Sequence, residues 1–304
     1  MPESSPDPRA VAAAVTAAPQ PMFWSIRREL WESRSLYIAP LAVAAVILIG
    51  FIVSMIGLPE RRRAVLLLDL VHQRAAIEKP YDIAAVLIMA TAFIVAVFYC
   101  LDALHGERRD RSILFWKSLP VSDLTTVLSK ASIPLVVLPL VAFATTIVMQ
   151  LIMLLMMNAV LLMSGVSATT FTQLPLAQHS LILLYGLIVF ALWHAPVYGW
   201  LLLVSGWARR SAFLWAVLPP IAIAMAEKIA FNTWYFGSML KYRLGGGFEE
   251  AFSGSPHPGV PPTVALEQLE PLRFLTSSGL WIGLAFAAVF LAAAVRQRRS
   301  REPI

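Results

Sequence analysis

The run ASIPLVVLPLVAFATTIVMQLIMLLMMNAVLLM, residues 131–163, begins a stretch that continues to residue 208 without any Asp, Glu, Lys or Arg. Two further charge-free runs cover residues 36–58 and 83–101. Apolar runs of about 18 residues or more are typical of membrane-spanning helices. A backbone in hydrocarbon must satisfy its own hydrogen bonds, and these runs lack the two-residue alternation of a barrel strand. The sequence therefore predicts an all-α, multi-spanning membrane protein.

The composition of the whole chain agrees with this prediction. Of its 304 residues, 59% are hydrophobic and 14% are charged, with a mean hydropathy of +0.72, whereas soluble domains carry about 25% charged residues. The net charge of +6 does not indicate a nucleic-acid partner, because the basic residues flank the apolar runs as the positive-inside rule expects. The one cysteine, Cys100, excludes an internal disulfide.

The charge-free runs predict six spans. A single helix over 131–208 would be about 117 Å long against a hydrocarbon core of about 30 Å, so this stretch holds two helices, separated at the polar segment 164–178. We expect a disordered tail over residues 1–21, one transmembrane domain over 22–296 and a short cytoplasmic tail over 297–304. The spans are expected at 36–58, 83–101, 133–163, 180–207, 212–228 and 278–295.

An even number of spans places both termini on the same side of the membrane. That side holds 15 of the 24 Lys and Arg residues, so we expect cytoplasmic termini in a plasma or inner membrane. The basic cluster at 61–63 opposes this assignment, because it falls in a loop expected outside. The segment 229–277 is also expected outside, with an apolar first part that lies in the interface or dips into the membrane.

A short amphipathic segment, PMFWSIRRELWESR, precedes the first span at residues 21–34. Phe23, Ile26 and Leu30 share one helical face, with Trp24 and Trp31 beside them. This pattern predicts an interfacial helix with aromatic rings at headgroup depth and arginines that face lipid phosphates. A simple topology anchor is the alternative interpretation. The charged residues are expected on the remaining surface: Arg27, Arg28, Glu29 and Glu32.

The connection between the second and third spans contains GERRDRSILFWKSLPVSDLTTVLSK, residues 106–130, and is the only long loop expected in the cytoplasm. Residues 107–111 carry mixed charge, and an aromatic stretch around Phe115 and Trp116 follows and ends at Pro120. Mixed charge beside aromatic rings suits a protein docking surface. A helix lying on the membrane with Trp116 as its anchor fits the pattern equally well.

This loop resembles the first cytoplasmic loop of ABC-2 type ABC transporter permeases, in which an acidic and basic turn precedes a FWKSLPVS-like segment. The span number, the helix before the first span and the long external segment before the last also resemble that family. The resemblance implies an exporting permease subunit that pairs with a second, identical or homologous permease subunit. It also implies a separate cytoplasmic ATPase, contacted by a coupling helix within residues 102–130. The residues that would carry this role are Glu107, Arg109, Asp110, Phe115, Trp116, Lys117 and Pro120.

Motifs for nucleotide binding and for enzyme chemistry are missing from the sequence. No glycine is followed by lysine, so the G-x-x-x-x-G-K-[ST] motif is absent and ATP is expected on the partner subunit. H-E-x-x-H, G-x-S-x-G and paired-cysteine motifs are also absent, so we predict no enzyme activity, metal or cofactor in this chain. Two alternatives stay open: an ATP-independent transporter or channel, and a membrane assembly scaffold that transports nothing.

Four polar residues in or near the spans are candidates for a translocation path, because ionisable and polar groups at membrane depth are often functional. Asn158 and His194 are better interpreted as interhelical hydrogen-bonding residues. Glu227 and Lys228 are better interpreted as an interface pair at the outer end of the fifth span. All four are kept as path candidates.

Overall fold

The structure, a computed structural model, describes residues 21–57, 60, 65, 70–110, 121–163, 176–253 and 266–300. Almost all of this part is helical, and its one β contact is an isolated antiparallel bridge between Phe252 and Leu269. A π-helical turn at Ile133–Val137 joins the α-helix Asp123–Ser132 to the α-helix Leu138–Met163. The helices are α1 (Pro21–Glu32), α2 (Ser35–Ser54), α3 (Leu70–Ala103), α4 (His105–Arg109), α5 (Asp123–Ser132), α6 (Leu138–Met163), α7 (Leu176–Trp207), α8 (Ala212–Phe231), α9 (Tyr235–Ala251), α10 (Pro271–Thr276) and α11 (Ser278–Ser300).

Within the described residues, six helical segments are long and apolar enough to cross a membrane. The chain is therefore an all-α, multi-pass membrane protein, as the sequence predicts. The segments are α2, α3 with α4, α5 with α6, α7, α8 and α11.

The helix boundaries differ from the predicted spans at several ends. The helix that holds the second span begins at Leu70 instead of near residue 83, because the α-helix continues past the charges that end the apolar run. The first span ends earlier than predicted, at Ser54, and Gly57 adopts a positive φ of 74° in the turn that follows. The segment 229–277, expected as an external loop, contains α9 and α10.

The helix α7 is the centre of the bundle. In the apolar, membrane-spanning part of α7, 50% is buried inside the protein, against 17% in the corresponding part of α8. It packs along α11 and also contacts α3, α6 and α9. Gly199 permits the close approach to α11, because a Cβ atom there would lie 3.3 Å from the Ala287 carbonyl oxygen.

The two ends of the bundle are built differently. We call one the α1 end; there α1 packs against α5, Glu29 of α1 binds Tyr99 of α3 and Lys130 of α5, and Arg298 of α11 binds Asp123 of α5. The helices α3 and α7 are long: their 34 and 32 residues correspond to about 51 and 48 Å. Even at a tilt of about 40°, both helices are longer than a hydrocarbon thickness of about 30 Å. At the end opposite to α1, α9 packs against α7.

Candidate functional site

Glu29 of α1 is the centre of a group of buried charges at the α1 end. Its side chain is almost fully enclosed, with 2% of the residue exposed, although the sequence pattern placed it on the polar surface of α1. Lys130 Nζ lies 2.9 Å from Glu29 Oε1, and the Tyr99 hydroxyl donates to Oε2 at 2.7 Å. Arg28 also donates to Oε1. The prediction that Glu29 faces outward is wrong, because the side chain has three donors inside the protein.

Glu107 of α4 is the second carboxylate in this group and is also buried. Its Oε1 lies 3.2 Å from Lys130 Nζ and 3.4 Å from Arg28 Nη2. Its Oε2 accepts a hydrogen bond from Arg298 Nη1 of α11. Arg298 in turn donates from Nε to Asp123 Oδ1 at 3.0 Å. The contacts therefore form one continuous network.

We call this network the ion cluster; it consists of Arg28, Glu29, Glu107, Asp123, Lys130 and Arg298. Its three carboxylates and three cations balance in charge. Transfer of a charge from water into a protein interior costs several kcal/mol, and only well-placed partners offset that cost. The six residues are consequently interdependent, since loss of one leaves the others with fewer partners and the group with an unbalanced charge.

The pKa of Glu29 reflects the opposing effects of burial and of the neighbouring cations. Burial alone would raise the pKa, but the charge of Lys130 and the hydrogen bonds from Lys130 and Tyr99 outweigh it, so the pKa falls below its ordinary value of 4.5. Glu29 is therefore ionised at neutral pH. Glu32, one turn further along α1, shows the opposite behaviour, since burial raises its pKa above the ordinary value.

Polar contacts fix α4 to the last turn of α7. The Ser205 hydroxyl accepts hydrogen bonds from the backbone N–H groups of Leu104 and His105 at 3.0 and 2.9 Å. The Arg108 guanidinium donates to the Gly206 carbonyl oxygen at 2.7 Å. A cation at the C-terminal carbonyls of a helix is favourable because it satisfies unpaired acceptors and the helix dipole. These contacts set the direction in which Glu107 points.

The structure divides the predicted docking residues into three groups. Glu107 lies inside the ion cluster and presents no docking surface in this conformation. Arg109 and Asp110 are exposed and pair with each other at 3.1 Å. The remaining four lie outside the described residues: Phe115, Trp116, Lys117 and Pro120.

Of the four path candidates, Glu227 and Lys228 lie near the end of α8. The Glu227 carboxylate accepts hydrogen bonds from the Thr233 hydroxyl at 2.7 Å and from the backbone N–H groups of Tyr235 and Phe236 at 2.6 and 2.8 Å. Its role in this conformation is to cap the first turn of α9. Lys228 is exposed and forms no ion pair within the part of the chain that the structure describes.

Asn158 and His194 are both buried inside the bundle. His194 places its two ring nitrogens 2.9 Å from the Phe190 carbonyl oxygen and 3.3 Å from the Leu244 carbonyl oxygen, so it links α7 to α9. Asn158 donates to the Leu154 carbonyl oxygen in its own helix, at 2.8 Å. The Asn158 Oδ1 atom is buried without a hydrogen-bond partner among the described residues.

A second cationic group that the sequence did not single out lies between α7, α9 and α11. The Arg243 guanidinium of α9 stacks 4.5 Å from the centre of the buried Trp193 ring and donates to the carbonyl oxygens of Trp193 and Gly279, at 3.2 and 2.6 Å. Burial lowers the pKa of Arg243. No carboxylate of the described residues lies within ion-pair distance of it. Arg243 therefore acts as a hydrogen-bonding and stacking link between three helices.

Metal-binding chemistry finds no support in the described ranges, where no group of three or more His, Cys, Asp or Glu side chains could hold an ion. A groove of about 790 Å³ opens between α8 and α9, with mainly apolar walls and exposed Lys241 and Glu249 at its edge.

Comparisons of the chain with known protein families, with curated proteins and with solved structures give no match. The residues of the site itself are therefore the basis on which a function can be proposed.

The ion cluster contains residues that sequence reasoning did not select: Arg28, Glu29, Asp123, Lys130 and Arg298. A weak signal existed for Lys130, because it lies one turn after Val127 on the buried face of α5. For Glu29, the partner Lys130 is 101 residues away in the chain. No local pattern could have identified that pair.

Proposed function

We propose that this chain is the membrane-spanning permease subunit of an ABC transporter of the ABC-2 type. It forms the translocation path and is driven by a separate cytoplasmic ATPase that docks on the loop within residues 102–130. In this proposal the termini and the α1 end are cytoplasmic, the protein resides in the plasma or inner membrane, a second permease subunit pairs with it, and transport is outward.

The observation that carries the proposal is the way both flanks of the loop are anchored. Glu107 precedes residues 111–120, whereas Asp123 and Lys130 follow them. Both flanks contact Arg298 of α11, and both reach the buried charges of α1 through Lys130, Glu29 and Arg28. A force on the loop is therefore applied to both ends of the ion cluster.

This geometry suits the conversion of a push into a movement of helices. A buried network of charges resists local rearrangement, because separating its members removes partners from charges that are held in the interior. Displacement of the loop would then move α1, α5 and α11 as one body, and rigid-body movement of this kind switches transporters between states. The absence of a nucleotide-binding motif from the sequence is the reason why the proposal assigns ATP hydrolysis to a partner.

The translocation path is assigned by the same proposal to polar groups inside the bundle. Asn158 and Gln150, both on α6, each have a buried carbonyl oxygen without a hydrogen-bond partner among the described residues. Such acceptors are costly unless water or a ligand satisfies them. His194 lies on the neighbouring α7. Glu227 and Lys228 would lie near the outer end of the path.

The test is co-purification of the chain with an ATPase encoded beside it. We expect the ATPase to remain bound to the unaltered chain in detergent and to be lost from a Trp116→Ala/Lys117→Glu variant. The matched control is Arg209→Gln/Arg210→Gln, which alters two exposed charges in the turn between α7 and α8. Retained ATPase binding in the Trp116 and Lys117 variant would contradict the docking assignment. Transport by the purified chain alone would favour an ATP-independent carrier instead.

A further inference from the structure

The helix α1 has aromatic residues on its exposed face and a charged residue on its buried face. Its exposed face carries Phe23, Trp24, Arg27 and Trp31, and more than half of the surface of each aromatic residue is accessible. Its opposite face carries Glu29, which is buried. A helix that faced water would expose the glutamate and bury the tryptophans. The exposed face of α1 is therefore built for contact with something other than bulk water.

The position of α1 identifies its surroundings. The helix ends at Glu32, and the first membrane-spanning helix begins at Ser35. Arg28 binds Glu107 of α4 and Glu29 binds Lys130 of α5, so α1 is held where the spans leave the hydrocarbon. Tryptophan rings are enriched at this depth in membrane proteins, because their apolar body and polar N–H group suit the headgroup region.

Arg27 gives the exposed face a specific chemistry. Its guanidinium carbon lies 5.2 Å from the ring centre of Trp24 and 4.6 Å from that of Trp31, so it is held between two indole rings. Arg28, the next residue, contacts Glu29, Glu32 and Glu107. Arg27 has no such carboxylate partner within the described part of the chain. A stacked guanidinium keeps its N–H edges available, and these match phosphate oxygens in geometry and charge.

We infer that Trp24, Arg27 and Trp31 form a binding site for the phosphate headgroup of an anionic phospholipid, in the leaflet at the α1 end. The arginine binds the phosphate, and the two indole rings contact the glycerol and the upper acyl chains. Because Glu29 fixes the opposite face of the helix to the ion cluster, the site is preorganised and differs from a diffuse positive surface. This inference depends on the geometry of α1 and not on the proposed transport function.

The test uses the full chain in detergent micelles, titrated with phosphatidylglycerol. The rise in Tm gives the mole fraction of lipid at half-saturation. We expect Arg27→Gln to weaken phosphatidylglycerol binding by about fivefold at low salt. The matched control is Arg34→Gln, which removes the same charge from an exposed residue at the same end without touching the two rings; its effect should be below about twofold. Phosphatidylcholine and inorganic phosphate should give no comparable rise.

A Trp24→Leu/Trp31→Leu variant distinguishes a specific lipid-binding site from non-specific electrostatic attraction. It keeps every charge, so diffuse electrostatics predicts unchanged binding, whereas the proposed site predicts a loss of about threefold or more. Arg27→Lys offers a second variant with intact charge and weaker stacking, should the tryptophan variant fail to fold. Equal losses in the Arg27 and Arg34 variants, or wild-type binding in both the tryptophan and lysine variants, would overturn the inference. A rise in Tm with inorganic phosphate equal to that with phosphatidylglycerol would overturn the assignment to lipid.

Discussion

The two ends of the bundle are held together by different forces. At the α1 end, a balanced group of buried charges joins α1, α4, α5 and α11. At the opposite end, aromatic rings, glycine contacts and the hydrogen bonds of His194 and Arg243 join α9 to α7, and no ion pair of the described residues links these two helices. The buried Trp193 ring packs edge-on against Tyr242 at 5.3 Å, and a Cβ atom on Gly247 would lie 2.6 Å from Trp193 Cγ.

This difference has a mechanical consequence. Charges in the interior hold one geometry, because every alternative leaves some of them unpaired. Aromatic and glycine contacts lack that requirement, and packed helices of this kind can shift by small sliding movements. We therefore expect the α1 end to move as one body and the opposite end to accommodate the movement.

The largest effect is expected from Lys130→Met in the ion cluster. This change removes the more buried of the two cations, Lys130 and Arg28, that contact both Glu29 and Glu107, and removal of one partner from a buried pair costs about 3–5 kcal/mol. We expect a large fall in Tm of the detergent-purified chain. In the control Glu29→Gln/Lys130→Met, the negative charge of Glu29 is removed together with the positive charge of Lys130, so at least half of the fall in Tm should be recovered. A double variant as unstable as the single one would show that the cluster is not an interdependent unit.

Gly247→Ala is expected to have a smaller effect at the opposite end. The added methyl group collides with the fully buried ring of Trp193, which has little room to move, and overpacking of this kind costs about 1–3 kcal/mol. Gly50→Ala in α2 is the matched control, because no atom of the residues that the structure describes lies within 4 Å of its Cβ position. It should be neutral or stabilising by up to about 1 kcal/mol. Equal Tm values for the two variants would contradict the described packing of α9.

The pH dependence of stability distinguishes the ends further. Because the folded pKa of Glu29 lies below its ordinary value of 4.5, ionised Glu29 stabilises the fold above that pH, and the contribution disappears as pH falls through the folded pKa. We expect Glu29→Gln to cost about 1–2 kcal/mol at pH 7 and nothing at a pH below the folded pKa. Tm measured against pH for both proteins checks this.

Glu32→Gln is the control for that measurement and should have the opposite sign. Partial burial raises the pKa of Glu32, although about half of its side chain is exposed and Arg28 lies 3.7 Å away, so its ionised form opposes folding only weakly at neutral pH, and that small cost is removed as pH falls from the raised pKa towards the ordinary value. The substitution should therefore stabilise slightly at pH 7. A difference between the unaltered protein and Glu29→Gln that persisted unchanged to acidic pH would contradict the assigned ion pair.

The smallest effect is expected from Glu227→Gln at the end of α8. The amide keeps an acceptor oxygen for the first turn of α9 but loses the charge that strengthens those hydrogen bonds. Its fall in Tm should be less than half of that for Lys130→Met. Lys228→Gln, at an exposed neighbouring residue, should leave Tm unchanged. A loss of transport by Glu227→Gln without any change in Tm would instead favour a place for Glu227 in the path.

The six spans could be predicted from the sequence because hydropathy and length are local properties. Residues 131–208 had to contain two helices on length alone, and α6 and α7 occupy them. The ends were less predictable, since α3 continues as a helix past Glu78, Lys79 and Asp82. A helix ends where its backbone hydrogen bonds or capping interactions end, whereas a charge-free apolar run ends at the first charged residue.

The ion cluster could not be predicted in the same way. Burial of Glu29 depends on three donors brought by α1, α3 and α5, and a single helix pattern contains no information about them. Glu107 was selected from the loop motif, but its direction is set by the contact of α4 with Ser205 of α7. The docking role of Trp116 and Lys117 stays a prediction.

The side of the membrane on which the proposed docking loop lies is measured most directly by labelling a Lys117→Cys variant in intact cells with a membrane-impermeant maleimide. Cys100 is fully buried, so the introduced thiol reports on the loop alone. We expect no labelling until the membrane is permeabilised, because the loop must face the cytoplasm to meet an ATPase. Labelling of position 117 in sealed cells would contradict this expectation.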